Sequence, residues 1–450
     1  MEGSAKSEGE AARAAAIVED VARMLVETAD PVWGGWGERQ KFPHPDALHF
    51  LLVRGAETRD DALLDVAKRT LETSQAAEIH DAVEGGFYRF ATQPDWSVPD
   101  YEKPLLANAK RLLAAAEAYQ VFGTESLRDT ARKAASWMRA TLLDPTTGAF
   151  GATQDADPVY ARLGSMDERR AHGAPEVDPT VHADRNAWAA VAFLKAGFVL
   201  GEGSLTETGL GALDFVLTRL FDRKRGVHHY WNGSPNRPGE LRDQAAVLRA
   251  IVEAAHSGST NRFLETGLTV AAWCEAELSL PDGSFRGDVH QDAAHASARS
   301  AEDLRAHGLL GEALLRLSVL TGRPELADRA RAALLAFEDA WRPHGFAAAG
   351  FGRALHLVAR EPAHVVVVGR RGDARTSALA EAGRRTYVAS RVAQLVDPAD
   401  EAALLEALGL EPREAPYASL RAPGVELTTT DPAELASGVE ALRGERGPGA

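Results

Sequence analysis

A short element, glycine followed closely by an aromatic or apolar residue, recurs six times along the chain. The copies are Gly34-Gly35-Trp36, Gly85-Gly86-Phe87, Gly148-Ala149-Phe150, Gly226-Val227-His228, Gly283-Ser284-Phe285 and Gly345-Phe346. A recurrence of this kind constrains architecture more than any local propensity does. Between successive copies the hydrophobic pattern predicts two helices. A first helix is expected over roughly Glu10 to Ala29. Pairs follow at about 45–57 with 59–79, 103–122 with 125–142, 183–201 with 204–221, 239–256 with 260–278, and 299–321 with 324–341. A last helix over about 346–359 brings the number to twelve. Within 103–122, Leu105, Leu106, Leu112, Leu113, Ala116 and Tyr119 recur at the three- and four-residue spacing of one helix face. Phe122-Gly123-Thr124, Gly201-Glu202-Gly203-Ser204 and Thr321-Gly322-Arg323-Pro324 read as stops between helices.

Short polar turns make the helices of a pair antiparallel neighbours. Six such pairs, each with its glycine turn, predict a mainly α fold: an (α/α)6 barrel, a closed double ring of helices. An open solenoid is the alternative, but solenoid repeats are shorter and more uniform. Here the inserts 80–102 and 150–182 are long and rich in Asp, Tyr, Trp and Pro. Such loops are where a pocket is built, so the pocket is expected at the ring mouth.

After Arg360 the pattern changes. His364-Val365-Val366-Val367-Val368-Gly369 reads as a buried strand, followed by a helix over 373–385. The run Tyr387 to Val396, a helix over 398–409, a strand Gly424 to Thr429 and a helix over 432–443 complete a small α/β domain. Alternation of strand and helix predicts a mostly parallel sheet. The expected organisation is an N-terminal helix at 1–30 contributing to the barrel, the barrel at 31–360, the α/β domain at 361–443 and a disordered tail at 444–450. Gly369-Arg370-Arg371-Gly372-Asp373 lacks the dinucleotide and phosphate-loop patterns and reads as a plain turn.

Bulk chemistry excludes several classes. The net charge of −15 disfavours nucleic acid, which needs a basic face. The positive charge is nearly all arginine, which fits either a GC-rich genome or a high-salt habitat. No run of 18 apolar residues predicts a membrane span, and the N-terminus has no apolar signal core. The single Cys274 can form neither an internal disulfide nor a thiolate cage and reads as a core residue. A cytoplasmic protein is expected.

The densest chemistry lies in Gly85-Gly86-Phe87-Tyr88-Arg89-Phe90, Trp96 and Asp100-Tyr101-Glu102-Lys103, which continues to Asn108. Aromatic faces stack on pyranose rings and fixed charges hold hydroxyls. The same residues also suit a capped helix start, with Asp100 and Glu102 in the first turn. Asp155 and Asp157 flank Ala156 and would point the same way on extended backbone, as an acid–base pair or a solvated turn. Asp184-Arg185-Asn186 opens a helix, with Asp184 a candidate cap. Asp243 begins another, where an inward carboxylate needs a partner. His44, His80, His182, His228, His229, His290 and His295 fall near loop ends, but no His-x-x-x-His spacing appears, so no metal or other cofactor is expected. His228-His229 reads as a polar hairpin. No serine-nucleophile elbow is present.

Gly34 to Pro45, with Lys41-Phe42-Pro43-His44-Pro45, resembles the "GGFG…KFPHP" segment of the thioredoxin-domain-containing proteins of the spermatogenesis-associated type. Gly85 to Asn108 resembles their "GGFHRYSTDxxWxVPHFEKMLYDNA" block, and Asp155-Ala156-Asp157 their "DAD". Asp292-Ala293 with Ser297 loosely resembles a later "DxAxPSxN" segment. The resemblance covers about residues 30–440. It implies a barrel similar to N-acylglucosamine 2-epimerases and six-hairpin glycosidases, preceded by a thioredoxin-like domain. This sequence starts at the barrel, so that domain is expected to be absent. The family's "HFEK" is Asp100-Tyr101-Glu102-Lys103 here, so its histidine is replaced. Leu420 and Val425 stand near the relatives' cysteine pair, ahead of Thr430 to Leu435. The expected function is therefore a carbohydrate-acting or carbohydrate-binding barrel. Glu102, Asp155, Asp157 and Asp243 are the candidate acid–base groups. Phe87, Tyr88, Arg89, Trp96, Asp100, Lys103, Asn108, Asn186 and His44 are the candidate substrate contacts. The alternative is a non-catalytic binding module beside a separate thioredoxin-like protein.

Overall fold

The computed structural model describes residues 2–290 and 299–444. Asp292, Ala293, His295, Ser297 and the tail residues 445–450 lie outside the described residues. The helices are α1 (Glu2–Glu27), α2 (Pro45–Thr58), α3 (Asp61–Ala76), α4 (Leu105–Phe122), α5 (Glu125–Thr141), α6 (Pro158–Arg162), α7 (Met166–His172), α8 (Ala183–Leu200) and α9 (Gly203–Phe215). They continue as α10 (Leu241–His256), α11 (Leu264–Leu278), α12 (Ala301–Thr321), α13 (Pro324–Leu335), α14 (Ala349–Ala359), α15 (Ala374–Arg385), α16 (Ala402–Ala407) and α17 (Pro432–Glu440). Every expected helix is present; most ends differ by a few residues, but α1 begins at Glu2 rather than Glu10 and α13 ends at Leu335 rather than 341. The stops act as read: Gly123, Gly201 and Gly322 end α4, α8 and α12 in the left-handed conformation at φ 68°, 71° and 69°. No helix among the described residues is long and apolar enough to cross a membrane.

The chain divides into two compact units. One comprises Met24–Leu52 and Asp61–Ala250. In it α4 and α8 pack on each other, α5 lies beside α4 and α9 beside α8. The sequences explain the layering. α8 is apolar almost all round and is buried along nearly its whole length, whereas α5 buries one stripe, Leu127, Thr130, Ala131, Ala134, Ala135, Trp137 and Met138. The insert 150–182 is ordered by the short helices α6 and α7, which no periodicity announces.

The other unit comprises Met1–Arg23, Val53–Asp60 and Ile251–Ala450. Here α12 is the buried centre, packed against α13 and α14. The early part of α1 is tied to this unit through Arg13–Glu338 at 2.9 Å and Arg331–Glu10 at 3.7 Å, and through the Arg342–Asp20 pair. The unit also carries a four-stranded sheet in the order Arg391–Val396, Ala363–Val368, Tyr417–Ala422, Val425–Thr429. The expected mostly parallel sheet is corrected: only the first pair is parallel and the other two pairs are antiparallel. For the last pair the reason is local. Pro423-Gly424, with Gly424 at φ 72°, reverses the chain between the last two strands, so no crossover helix intervenes. The strand Tyr417–Ala422 lacks a β-branched run and is not legible in the sequence.

Candidate functional site

Three of the glycine turns share one construction. Asp30, Asp81 and Asp144 each stand four residues before a left-handed glycine, Gly34, Gly85 and Gly148, whose N–H donates to the Asp carbonyl at 3.0, 2.8 and 2.8 Å. The Asp carboxylate accepts from backbone N–H groups two or three residues on, as at Val32, Trp33, Val83, Glu84 and Thr146. Just past the glycine, a side chain one turn inside the following helix grips the backbone. The Asn108 Oδ1 accepts from Phe87 N at 2.7 Å while Nδ2 donates to the carbonyls of Phe87 and Pro104 at 2.9 and 3.0 Å. Asn186 does the same for Phe150 and His182, and Gln244 for Val227 and Glu240. In the other unit, His307 accepts from Phe285 N at 2.9 Å through Nε2 and bonds the Asp303 carbonyl at 2.7 Å through Nδ1.

This device places several expected contact residues inside the architecture. Asn108 and Asn186 are buried clamps. Lys103 is buried too; its Nζ donates to Asp81 Oδ2 at 2.5 Å and to the Gly85 carbonyl at 3.1 Å. Lys41 makes the same pair one repeat earlier, with Asp30 and the Gly34 carbonyl at 2.7 and 2.9 Å. Arg169 from α7 also donates to Asp81, at 2.7 Å, with Glu84 3.2 Å away. Burial opposes the Asp81 charge, but the Arg169 hydrogen bond and the Lys103 charge outweigh it and hold the carboxyl at about 2. Tyr160, whose hydroxyl donates to Glu84, joins them; this network is not legible in the sequence, because α7 reaches Asp81 across 88 residues.

Trp96 is fully buried and donates to the Trp33 carbonyl at 2.8 Å. Phe87 packs against His80, and Tyr88 against Tyr101 at 5.1 Å. Arg89 is exposed and reaches Glu102 at 2.8 Å; the other Glu102 oxygen accepts from Thr153 Oγ1 at 3.0 Å. Asp100 accepts from Glu102 N, and neither carboxylate caps α4, whose N-cap is Pro104. Asp155 is exposed. Asp157 caps α6 through Val159 N and Tyr160 N, and meets His172 at 2.9 Å. His44 lies edge-on to Trp36 at 6.2 Å. A surface recess of about 640 Å³ lies between the two motif loops, lined by Arg39, Gln40, Thr92, Gln93 and Pro94; none of the expected site residues lines it.

Short strands join the loops that lead into α4, α8 and α10. Lys103–Pro104 pairs with Thr153–Gln154, which pairs with Val177–Asp178. Val181–His182 then pairs with the strand Gly226–Trp231. At the end of this band a polar group assembles. Asp243, fully buried in the first turn of α10, faces His229 Nδ1 at 3.1 Å from both carboxylate oxygens. Arg242 lies 3.1 Å from His229 Nε2 and 2.8 Å from Glu240. The His182 ring stands 5.0 Å from that of His229, and Asp184 belongs to the same cluster. Burial, with repulsion from Asp184 and Glu240, pushes the Asp243 carboxyl up, against the His229 bond. Burial would depress His229, but Asp243 and Glu240 raise it. Burial and Arg185 drive His182 down to about 4, so it is neutral. His229, read in the sequence as a polar hairpin residue, is the centre of the cluster.

No family model matches the chain. Human spermatogenesis-associated protein 20 is 24% identical in an alignment covering 83% of this chain and 62% of that protein. The chain thus spans under two thirds of the length of this relative. The mouse protein is 32% identical over 139 residues, 30% of this chain and 18% of its own. In structure, the cellobiose 2-epimerase of Spirochaeta thermophila superposes with a TM-score of 0.60 at 16% identity, over 73% of this chain and 84% of that one. A D-mannose isomerase gives 0.58 at 10% identity, over 76% and 97%. A GH76 alpha-mannanase from Bacteroides thetaiotaomicron gives 0.56 at 10%, over 77% and 95%. The chain is similar in sequence to the spermatogenesis-associated proteins over most of its own length, and its fold is that of the six-hairpin (α/α)6 barrels, with a small α/β portion at its C-terminal end.

Proposed function

We propose that the chain binds a carbohydrate, and acts on it, along the band of loops that runs from Glu102 to Asp243. The observation that carries this reading is the buried Asp243 holding His229 Nδ1, so that the ring is oriented and its Nε2 lone pair faces Arg242, which a ligand would have to displace. An oriented imidazole beside carboxylates and arginines supplies what hydroxyl recognition and proton movement at a sugar carbon require. Glu102, held by Arg89 and Thr153, and the exposed Asp155 extend the hydroxyl contacts along the same band. The sugar epimerase and isomerase likenesses in fold support the substrate class.

A thermal-shift screen of mono- and disaccharides tests this. One sugar raises the melting temperature of the native chain, and the rise disappears in Asp243→Asn and shrinks in Glu102→Gln and Asp155→Asn. A screen in which no sugar moves the melt at millimolar concentration overturns the reading.

A further inference from the structure

We infer that His182, Asp184 and His229 form a site for one divalent transition-metal ion, with Asp243 and Glu240 behind it. The three side chains come from the strand Val181–His182, the first turn of α8 and the strand Gly226–Trp231. Their ligating atoms all lie within 4.8 Å of one another. Bonds of about 2.0–2.2 Å to a common ion require the three atoms to draw closer together by side-chain rotation.

Three further observations point to a cation. First, His182 Nδ1 and Asp184 Oδ1 are sealed from solvent, and neither has a hydrogen-bond partner among the described residues. Asp184 Oδ1 is a lone-pair atom, and His182 Nδ1 is one in the Nε2–H tautomer; buried polar atoms are normally satisfied. Second, the Asp243 carboxylate grips His229 Nδ1 with both oxygens at 3.1 Å. A carboxylate behind a histidine in this way fixes the tautomer and turns the other nitrogen toward an ion. Third, the place opposite His229 Nε2 is already taken by a cation, the Arg242 guanidinium at 3.1 Å. An incoming ion displaces Arg242, which is partly exposed and keeps its 2.8 Å contact with Glu240.

The ligand set is two imidazoles and one carboxylate. That mixture suits Zn²⁺, Fe²⁺, Co²⁺ or Mn²⁺ and disfavours Mg²⁺ and Ca²⁺, which prefer oxygen alone. The sequence hides it, because the ligands sit at 182, 184 and 229 and strand pairing alone brings them together. A bound ion has open positions for substrate oxygens, but the site stands without reference to any sugar.

Calorimetric titration of the chelator-treated full chain with Zn²⁺, Mn²⁺ and Mg²⁺, without sugar, tests the inference. The expected result is one transition-metal ion per chain, with Mg²⁺ far weaker. His182→Ala and Asp184→Asn weaken binding by about tenfold or more. Arg242→Ala strengthens it, since the competing guanidinium is gone, and this variant leaves all three ligands in place. Circular dichroism confirms that the variants fold. Absence of saturable binding in both the native chain and Arg242→Ala overturns the inference. Binding that is indifferent to His182→Ala and Asp184→Asn also overturns it. Metal binding with no sugar response would retire the carbohydrate reading and leave the metal site standing; a sugar response without metal binding would do the reverse.

Discussion

At the scale of single residues, side chains that look like chemistry in the sequence divide by what they touch. Lys103 looks like a substrate contact, yet it repeats the contacts of Lys41 on an aspartate and a glycine carbonyl. His307 performs with imidazole what Asn108, Asn186 and Gln244 perform with amides. The difference matters for pH, because an amide does not titrate. His307 Nε2 accepts from Phe285 N, so that nitrogen has to be unprotonated, and burial pulls the group down to about 4. The unfolded chain binds the proton at its ordinary value near 6.5. Between the two values the unfolded state carries more protons, so stability is full above pH 6.5 and falls as the pH drops toward 4. At about 1.4 kcal/mol per unit, the loss approaches about 3 kcal/mol. His307→Gln should preserve the clamp and shallow the acid limb of a melting-temperature profile. A profile unchanged in slope would mean that His307 does not govern it. His80 and His364, also near 4, leave a residual slope.

At the scale of elements, each turn and the helix after it behave as one part. The amide of Asn186 satisfies both the N–H and the C=O of buried Phe150. Asn186→Ala leaves two buried backbone groups unpaired, which costs on the order of 3 kcal/mol. Chemical denaturation should show that loss with an unchanged slope, and a loss below about 0.5 kcal/mol would refute the clamp role. The turns also explain why glycine stands at Gly86. Its φ is 78°, and an added Cβ would meet the Trp137 ring at 2.7 Å. The same aspartate–glycine construction serves the first three turns, so the sequence blocks that carry the resemblance report turn geometry at least as much as they report chemistry.

At the scale of the whole molecule, the unit that holds the four-stranded sheet is built from three separate stretches of chain. Ala14, Ile17, Val18, Val21 and Ala22 of α1 belong to its buried core, although more than two hundred residues separate them from its main part. Glu57 is buried in the same unit, accepting from His356 at 2.8 Å and from Ser390 N at 2.5 Å, with Arg360 beside it. A chain lacking residues 2–23 should therefore lose cooperative unfolding of this unit, seen as a broadened, lowered melt and faster amide exchange in α12 to α14. Native-like exchange in those helices would show that the unit closes without α1.

The sequence by itself determined the parts that depend on neighbours along the chain. Period-3.6 apolar stripes, glycine stops and the six turns located the helices and implied the six-pair fold, because helix formation and capping are decided within a few residues. It also marked Asp243 as a carboxylate in need of a partner. Only the tertiary structure decided which partner: His229 lies 14 residues away, and no local rule selects it over His228. It likewise decided that Glu102 meets Thr153, that Asp157 is a cap, and that one pair in the C-terminal sheet is parallel while two are not. Strand pairing and burial are long-range, and they set which polar side chains lose water together and so which of them can do chemistry.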